Sequence, residues 1–182
     1  ECEDEKVLKY IINNENEITI KNNVKNLKLL WECCQIPDFV KKSYGKHLDI
    51  VKKVFYFLSN GAGKIPNSYF KEQLNPLYKL EGNVDSISNR IANVRIWSYV
   101  ANKSKWVENN DYWIERTKNI EDKLSDRLHE ELTKTFIDKR ASVLAKGLKQ
   151  DTAFKTEIID DKLVKINDQF IGNLSGLKLE LD

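Results

Sequence analysis

A chain of 182 residues with 41% hydrophobic and 32% charged residues can bury a sizeable core, and this balance excludes a disordered tail. No apolar run approaches the roughly 18 residues of a membrane-spanning helix, and a net charge of +2 is too small to imply a polyanionic partner by itself. Cys2, Cys33 and Cys34 form no CxxC pair, which argues against a disulfide framework or zinc site and predicts a reducing, cytoplasmic setting.

The opening ECEDEK has neither the positive n-region nor the apolar h-region of a signal peptide, and the absence of Met predicts a piece of a longer product. From Asp4 to Asn13, the spacing of Val7, Leu8 and Ile11 predicts a short helix, broken by NNENE (13–17). Within Asn22 to Cys34, Val24, Leu27, Leu30, Trp31 and Cys34 fall at helical spacing, while Lys21, Lys25 and Lys28 gather opposite. This helix should stop near Gln35, because Ile36 precedes Pro37 and a residue before proline is pushed out of the α region.

Leu48, Val51, Val54, Phe55 and Leu58 predict the next helix, ending at Asn60-Gly61. Between residues 21 and 56 stand eight Lys against Glu32, Asp38 and Asp49, a patch that either follows a phosphate backbone or is a solvated face. GAGK (61–64) fails as a phosphate loop: with Gly63-Lys64 as its Gly-Lys pair, the first-glycine position is Leu58 and the magnesium-holding position is Ile65. It reads as a helix C-cap and turn, with Pro66 and Asn67 opening a helix through Tyr69, Phe70 and Leu74 that Pro76 kinks or ends.

Val84, Ile87, Ile91, Val94 and Ala101 predict a buried-face helix widened by Trp97 and Val100, followed by a connector, KSKWVENNDYW (103–113). The longest pattern runs from about Asp111 to Lys149, where Ile120, Leu124, Leu128, Leu132 and Phe136 step by four. That step advances about 40° each time, so the apolar face turns and must meet different neighbours at its two ends. Beyond Gln150, short alternating segments separated by DD, ND and SG predict a β-meander or pair of hairpins. The fold class is therefore mainly α, a multi-helix orthogonal or bundle array with a small C-terminal β-meander, divided as a helical domain 1–150 and a β-rich appendage 151–182.

Residues 84–140 hold three of the four Trp and all five Arg of a chain with 30 basic residues. Where Lys is the default, Arg90, Arg95, Arg116, Arg127 and Arg140 are either positions that need a planar fork for carboxylates or phosphates, or ordinary ion-pair residues. Trp106 and Trp113, beside the polar connector, either plug a helix junction or stack on bases. No enzyme constellation stands out. His47 and His129 lie in different helices, HEELT (129–133) is not HExxH, and neighbouring carboxylates such as Glu130 and Glu131 point in different directions.

Three strings in one order, LLWECCQIPDF (29–39), RIANVRIWSYVANKSKW (90–106) and DYWIERTKNIEDKLSDRLHEELTKTFIDKRASVL (111–144), carry a likeness. They resemble the C-terminal accessory region of bacterial superfamily 2 helicases related to the RNA helicase of the mitochondrial degradosome. The likeness covers about Leu27 to Leu148, and FIGNLSGLKLELD (170–182) resembles the short β-rich segment that follows there. It implies two ATPase domains before Glu1, so ATP and magnesium belong to those domains, while this chain is non-catalytic with no cofactor or metal of its own. It further implies packing on the ATPase core of the same polypeptide, a hold on single-stranded RNA or DNA, with RNA favoured by kinship, and an exoribonuclease as a partner by analogy. From residue type and placement alone, the expected nucleic-acid contacts are Arg95, Arg116, Lys25, Lys28, Lys52, Lys53, Trp106 and Trp113. The competing expectation is a helical protein–protein interaction scaffold that binds no nucleic acid.

Overall fold

A computed structural model of the chain describes residues 2–14, 23–149, 156–159, 163–166, 169–175 and 178–181, with side chains described for most of them up to residue 165. The predicted break at 13–17 and Lys21 therefore lie largely outside the described residues, as do the β-turn dipeptides. Six α-helices occur among the described residues, followed by four strands. The chain divides into two compact units, Glu1–Leu128 and His129–Asp182.

In the first unit, α1 (Glu3–Asn14) carries Glu3, Asp4 and Glu5 in its first turn, where carboxylates complement the positive end of the helix dipole, and it buries Val7 and Ile11. Helix α2 (Val24–Cys34) starts where the Asn23 side chain accepts from the Lys25 N–H at 3.0 Å, and it buries Leu30, Cys33 and Cys34. It ends one residue before Gln35, with Ile36 buried ahead of Pro37, as the pre-proline restriction requires. Helix α3 (Tyr44–Ser59) buries His47, Leu48, Val51, Val54, Phe55 and Leu58, a single face at spacings of three and four. It packs on α2, which also packs on α1.

The GAGK segment is a turn, with Gly61 at φ 61° and Gly63 at φ 67°, conformations that favour glycine. Asn60 helps close the preceding helix by donating to the Tyr56 carbonyl at 3.0 Å. Helix α4 (Asn67–Leu74) gives way to a 3₁₀ turn (Asn75–Tyr78) at Pro76, and α5 (Val84–Asn102) begins where Asn83 accepts from the Ser86 N–H at 2.9 Å. Helix α6 (Asn110–Lys149) spans the division between the units.

The core of the first unit centres on aromatic rings. Phe70 lies 5.3 Å from Trp97 and 4.7 Å from Trp113, centroid to centroid, while Tyr69 meets Trp97 edge-on at 5.9 Å. The four-residue step of α6 buries Ile120 and Leu124, leaves Leu128 half-buried, and then turns outward, so that Leu132 is 48% and Phe136 52% exposed.

The second unit contains the rest of α6 and an antiparallel meander, β1 (Thr156–Ile159), β2 (Leu163–Ile166), β3 (Gln169–Ser175) and β4 (Lys178–Leu181), in the order β1-β2-β3-β4. Between β2 and β3, Val164 faces Gly172 and Lys165 faces Phe170, so one extra residue bulges in β3. The contact division falls after Leu128, whereas the sequence division at 150 follows the change of periodicity. Compactness and periodicity mark different boundaries. No helix among the described residues is long and apolar enough to cross a membrane.

Candidate nucleic-acid interface

The outward side of α3 carries Lys46, Lys53 and Tyr56, all exposed, with Lys52 half-buried between this side and α1. Lys52 Nζ lies 5.9 Å from the Tyr10 ring centroid, and Lys53 Nζ lies 5.7 Å from that of Tyr56 and 5.3 Å from that of Phe57. Tyr10 meets Tyr44 edge-to-face at 6.2 Å. Lys46, Lys52 and Lys53 thus share this part of α1 and α3 with the exposed rings of Tyr10, Tyr44 and Tyr56, so positive charge stands beside aromatic surface. Lys25 and Lys28 are exposed on neighbouring α2.

The remaining sequence-predicted contacts sit differently. Arg95 on α5 donates through Nε to the Glu121 carboxylate of α6 at 2.7 Å, in an ion pair that ties the two helices together while Arg95 stays 53% exposed. Arg116 lays its guanidinium 4.7 Å from the Tyr78 ring centroid, against the 3₁₀ turn. Trp106 and Trp113 are each only 5% exposed. Neither ring is open to a base, and of the two roles weighed for them both take the junction plug. Trp113 donates through Nε1 to Asn67 at 2.8 Å, and Asn67 in turn donates to Glu108 at 3.2 Å, which fixes the start of α4 against the connector. The connector is also pinned by Asn110, which donates to the Ala101 and Lys103 carbonyls at 2.8 and 3.0 Å, and by the Ile65 N–H on the Trp106 carbonyl at 2.7 Å.

The other arginines follow no single pattern. Arg90 donates to the backbone carbonyls of Lys79 and Glu81, which makes its fork a clamp on the loop before α5. Arg140 is buried with its guanidinium 4.1 Å from the Phe136 ring centroid. Sequence reasoning passed over Tyr10, Tyr44 and Tyr56. Their signal was available: Tyr56 flanks the apolar stripe of α3 on the side that carries Lys53, one turn away.

Nucleophilic chemistry finds no support in the thiols. Burial, reinforced for Cys33 by Cys34 and Glu32, pushes the Cys33 thiol far up, and burial with the Asp4 charge pushes Cys34 up to about 12. Both stay protonated at neutral pH. Among the described residues, no group of three or more His, Cys, Asp or Glu could hold a metal ion.

No family model, no curated protein and no solved structure matches this chain.

Proposed function

We propose that this chain is an accessory, non-catalytic helical part of an ATP-dependent superfamily 2 helicase, holding single-stranded nucleic acid, RNA before DNA, through the lysine–tyrosine face of α1 and α3. The observation that carries the reading is the juxtaposition of exposed Lys53 with exposed Tyr56, next to half-buried Lys52 over the exposed Tyr10 ring. Such a face attracts phosphates through counterion release and offers rings on which any base stacks. The string resemblance supplies the parent: the ATPase core of the same polypeptide, with its ATP and magnesium, as the surface on which this region packs, and an exoribonuclease as a further partner. Arg95 and Arg116 contribute here as supports of α5 and α6, since both are already engaged within the unit.

Fluorescence anisotropy with single-stranded RNA tests the reading. Replacing Lys52 and Lys53 together by Gln should flatten the dependence of log K on log salt by about 1.4, and Tyr56→Ala should weaken binding by about 1–3 kcal/mol. Unchanged binding in both variants refutes the face.

A second reading, a scaffold for other proteins, draws on a different observation. Leu132 and Phe136, one turn apart on the distal part of α6, are both exposed, an apolar pair of the kind found at protein contacts. RNA binding that persists when Leu132 and Phe136 are changed to Ser keeps the two readings apart.

A further inference from the structure

The cleft between α1 and the segment 35–44 that leads into α3 has a volume of about 710 Å³, within the range of small-molecule sites. His47 lines it from α3. His47 is only 6% exposed, and its Nδ1 is buried without a hydrogen-bond partner among the described residues. Native proteins retain few such atoms, and this one belongs to a side chain that lines the cleft; in the tautomer protonated at Nε2 it is an acceptor awaiting a donor. We infer that this cleft binds an organic cation bearing N–H donors, an alkylammonium or alkylguanidinium group, with the His47 imidazole as its buried acceptor.

The charges around the ring choose the ligand. Glu3 and Asp4 approach from α1 and Asp38 from the 35–44 segment, and these three carboxylates are the charges that bear on the imidazole. Asp38 is held in place by accepting from the Val40 and Lys41 N–H groups at 3.2 and 3.0 Å. Lys6 and Lys41 also line the cleft, but both are exposed, whereas Asp4 and Asp38 are half-buried. His47 also lines a neighbouring pocket, to which α5 contributes the uncharged Asn89 and Asn93 and to which Asp38 and the exposed Lys42 and Lys46 contribute charge. Burial keeps the imidazole neutral against the pull of the carboxylates, so Nδ1 can accept rather than repel. Phe39 and Tyr44, exposed rings in the lining, give an alkyl cation a π-face. A donor that carries positive charge satisfies the nitrogen, the carboxylates and the rings at once.

The source of that cation is either a free polyamine or an arginine side chain presented by a polypeptide, and two probes separate them: spermidine and N-acetylarginine amide. Each is titrated into the full 182-residue chain while the two imidazoles are followed by NMR, with exposed His129 as the internal reference. The inference expects a shift of His47 and none of His129. It expects affinity about tenfold or more lower in His47→Phe, a severalfold loss in Asp4→Asn, and weakening as falling pH protonates His47. A response to spermidine alone assigns the free polyamine, and a response to the arginine amide alone assigns the polypeptide. The inference is overturned if neither probe moves His47 at about 10 mM, which leaves an ordered water as the partner of Nδ1. It is equally overturned if N-acetylcitrulline amide binds as tightly as the arginine amide, or if Asp4→Asn binds as wild type. Should His47→Phe fail to fold, the wild-type shifts and Asp4→Asn still decide.

Discussion

Arg90 donates to the carbonyls of Lys79 and Glu81, and Gly82 leaves the room for it. At φ 126°, a Cβ on Gly82 would stand 2.3 Å from Ser86 Oγ and 2.9 Å from Arg90 Nη2. Gly82→Ala should therefore lower stability by about 1–3 kcal/mol in urea unfolding, through backbone strain and a displaced guanidinium together. A cost below about 0.3 kcal/mol would mean that the clamp is not held. His47 makes a second prediction. Burial lowers its pKa below the ordinary 6.5, opposed by Asp38, Asp4 and Glu3. The unfolded chain thus takes up the proton first, and stability falls as pH drops from 6.5 towards the folded-state value, then levels off. In His47→Phe that slope should disappear from thermal melts across pH 7.5 to 5, and a slope of unchanged size would place its origin elsewhere. Neither residue announced itself in sequence. A glycine after a glutamate and a histidine on an apolar stripe acquire their roles only from neighbours brought in by other elements.

The helices, by contrast, were written locally. Asn23 and Asn83 cap two of them, Pro37 and Pro76 close two, and apolar residues at spacings of three and four mark the buried faces, all short-range signals. The turning stripe of α6 was readable for the same reason: a four-residue step outruns the 3.6-residue turn, so the stripe drifts away from a fixed neighbour. It follows that truncations along one stripe should differ sharply. Leu124→Ala, at a fully buried position, should destabilise by about 2–5 kcal/mol, and Leu132→Ala by less than about 0.5 kcal/mol. Equal losses at the two positions would mean that the distal part of the helix is packed after all. The connector was harder to read. Whether Trp113 plugs a junction or meets a base depends on Asn67, far away in sequence, which accepts its Nε1 proton. Trp113→Phe keeps an aromatic ring but removes that bond and part of the buried indole, for an expected loss of about 1–3 kcal/mol in urea unfolding.

At the scale of the molecule, the lysine excess between residues 21 and 56 and the arginines of α5 and α6 differ in how far sequence describes them. Charge accumulates additively along a chain, so the excess of lysine between residues 21 and 56 was countable. Partners are not countable in the same way: Arg95 pairs with Glu121 and Arg116 stacks on Tyr78, both on elements distant in sequence, and Lys52 likewise lies over Tyr10 of another helix. Of the lysine–tyrosine face, the charges are countable in sequence, whereas the exposure of Tyr10, Tyr44 and Tyr56 depends on how the helices pack. The proposed role now rests on that face. Its most direct test is the salt dependence of single-stranded RNA binding by the whole chain. Contacts from Lys46, Lys52 and Lys53 with one further lysine predict a slope of log K against log salt of about −2 to −3. No binding at about 50 mM salt, or a slope near zero, would contradict a surface that follows phosphates.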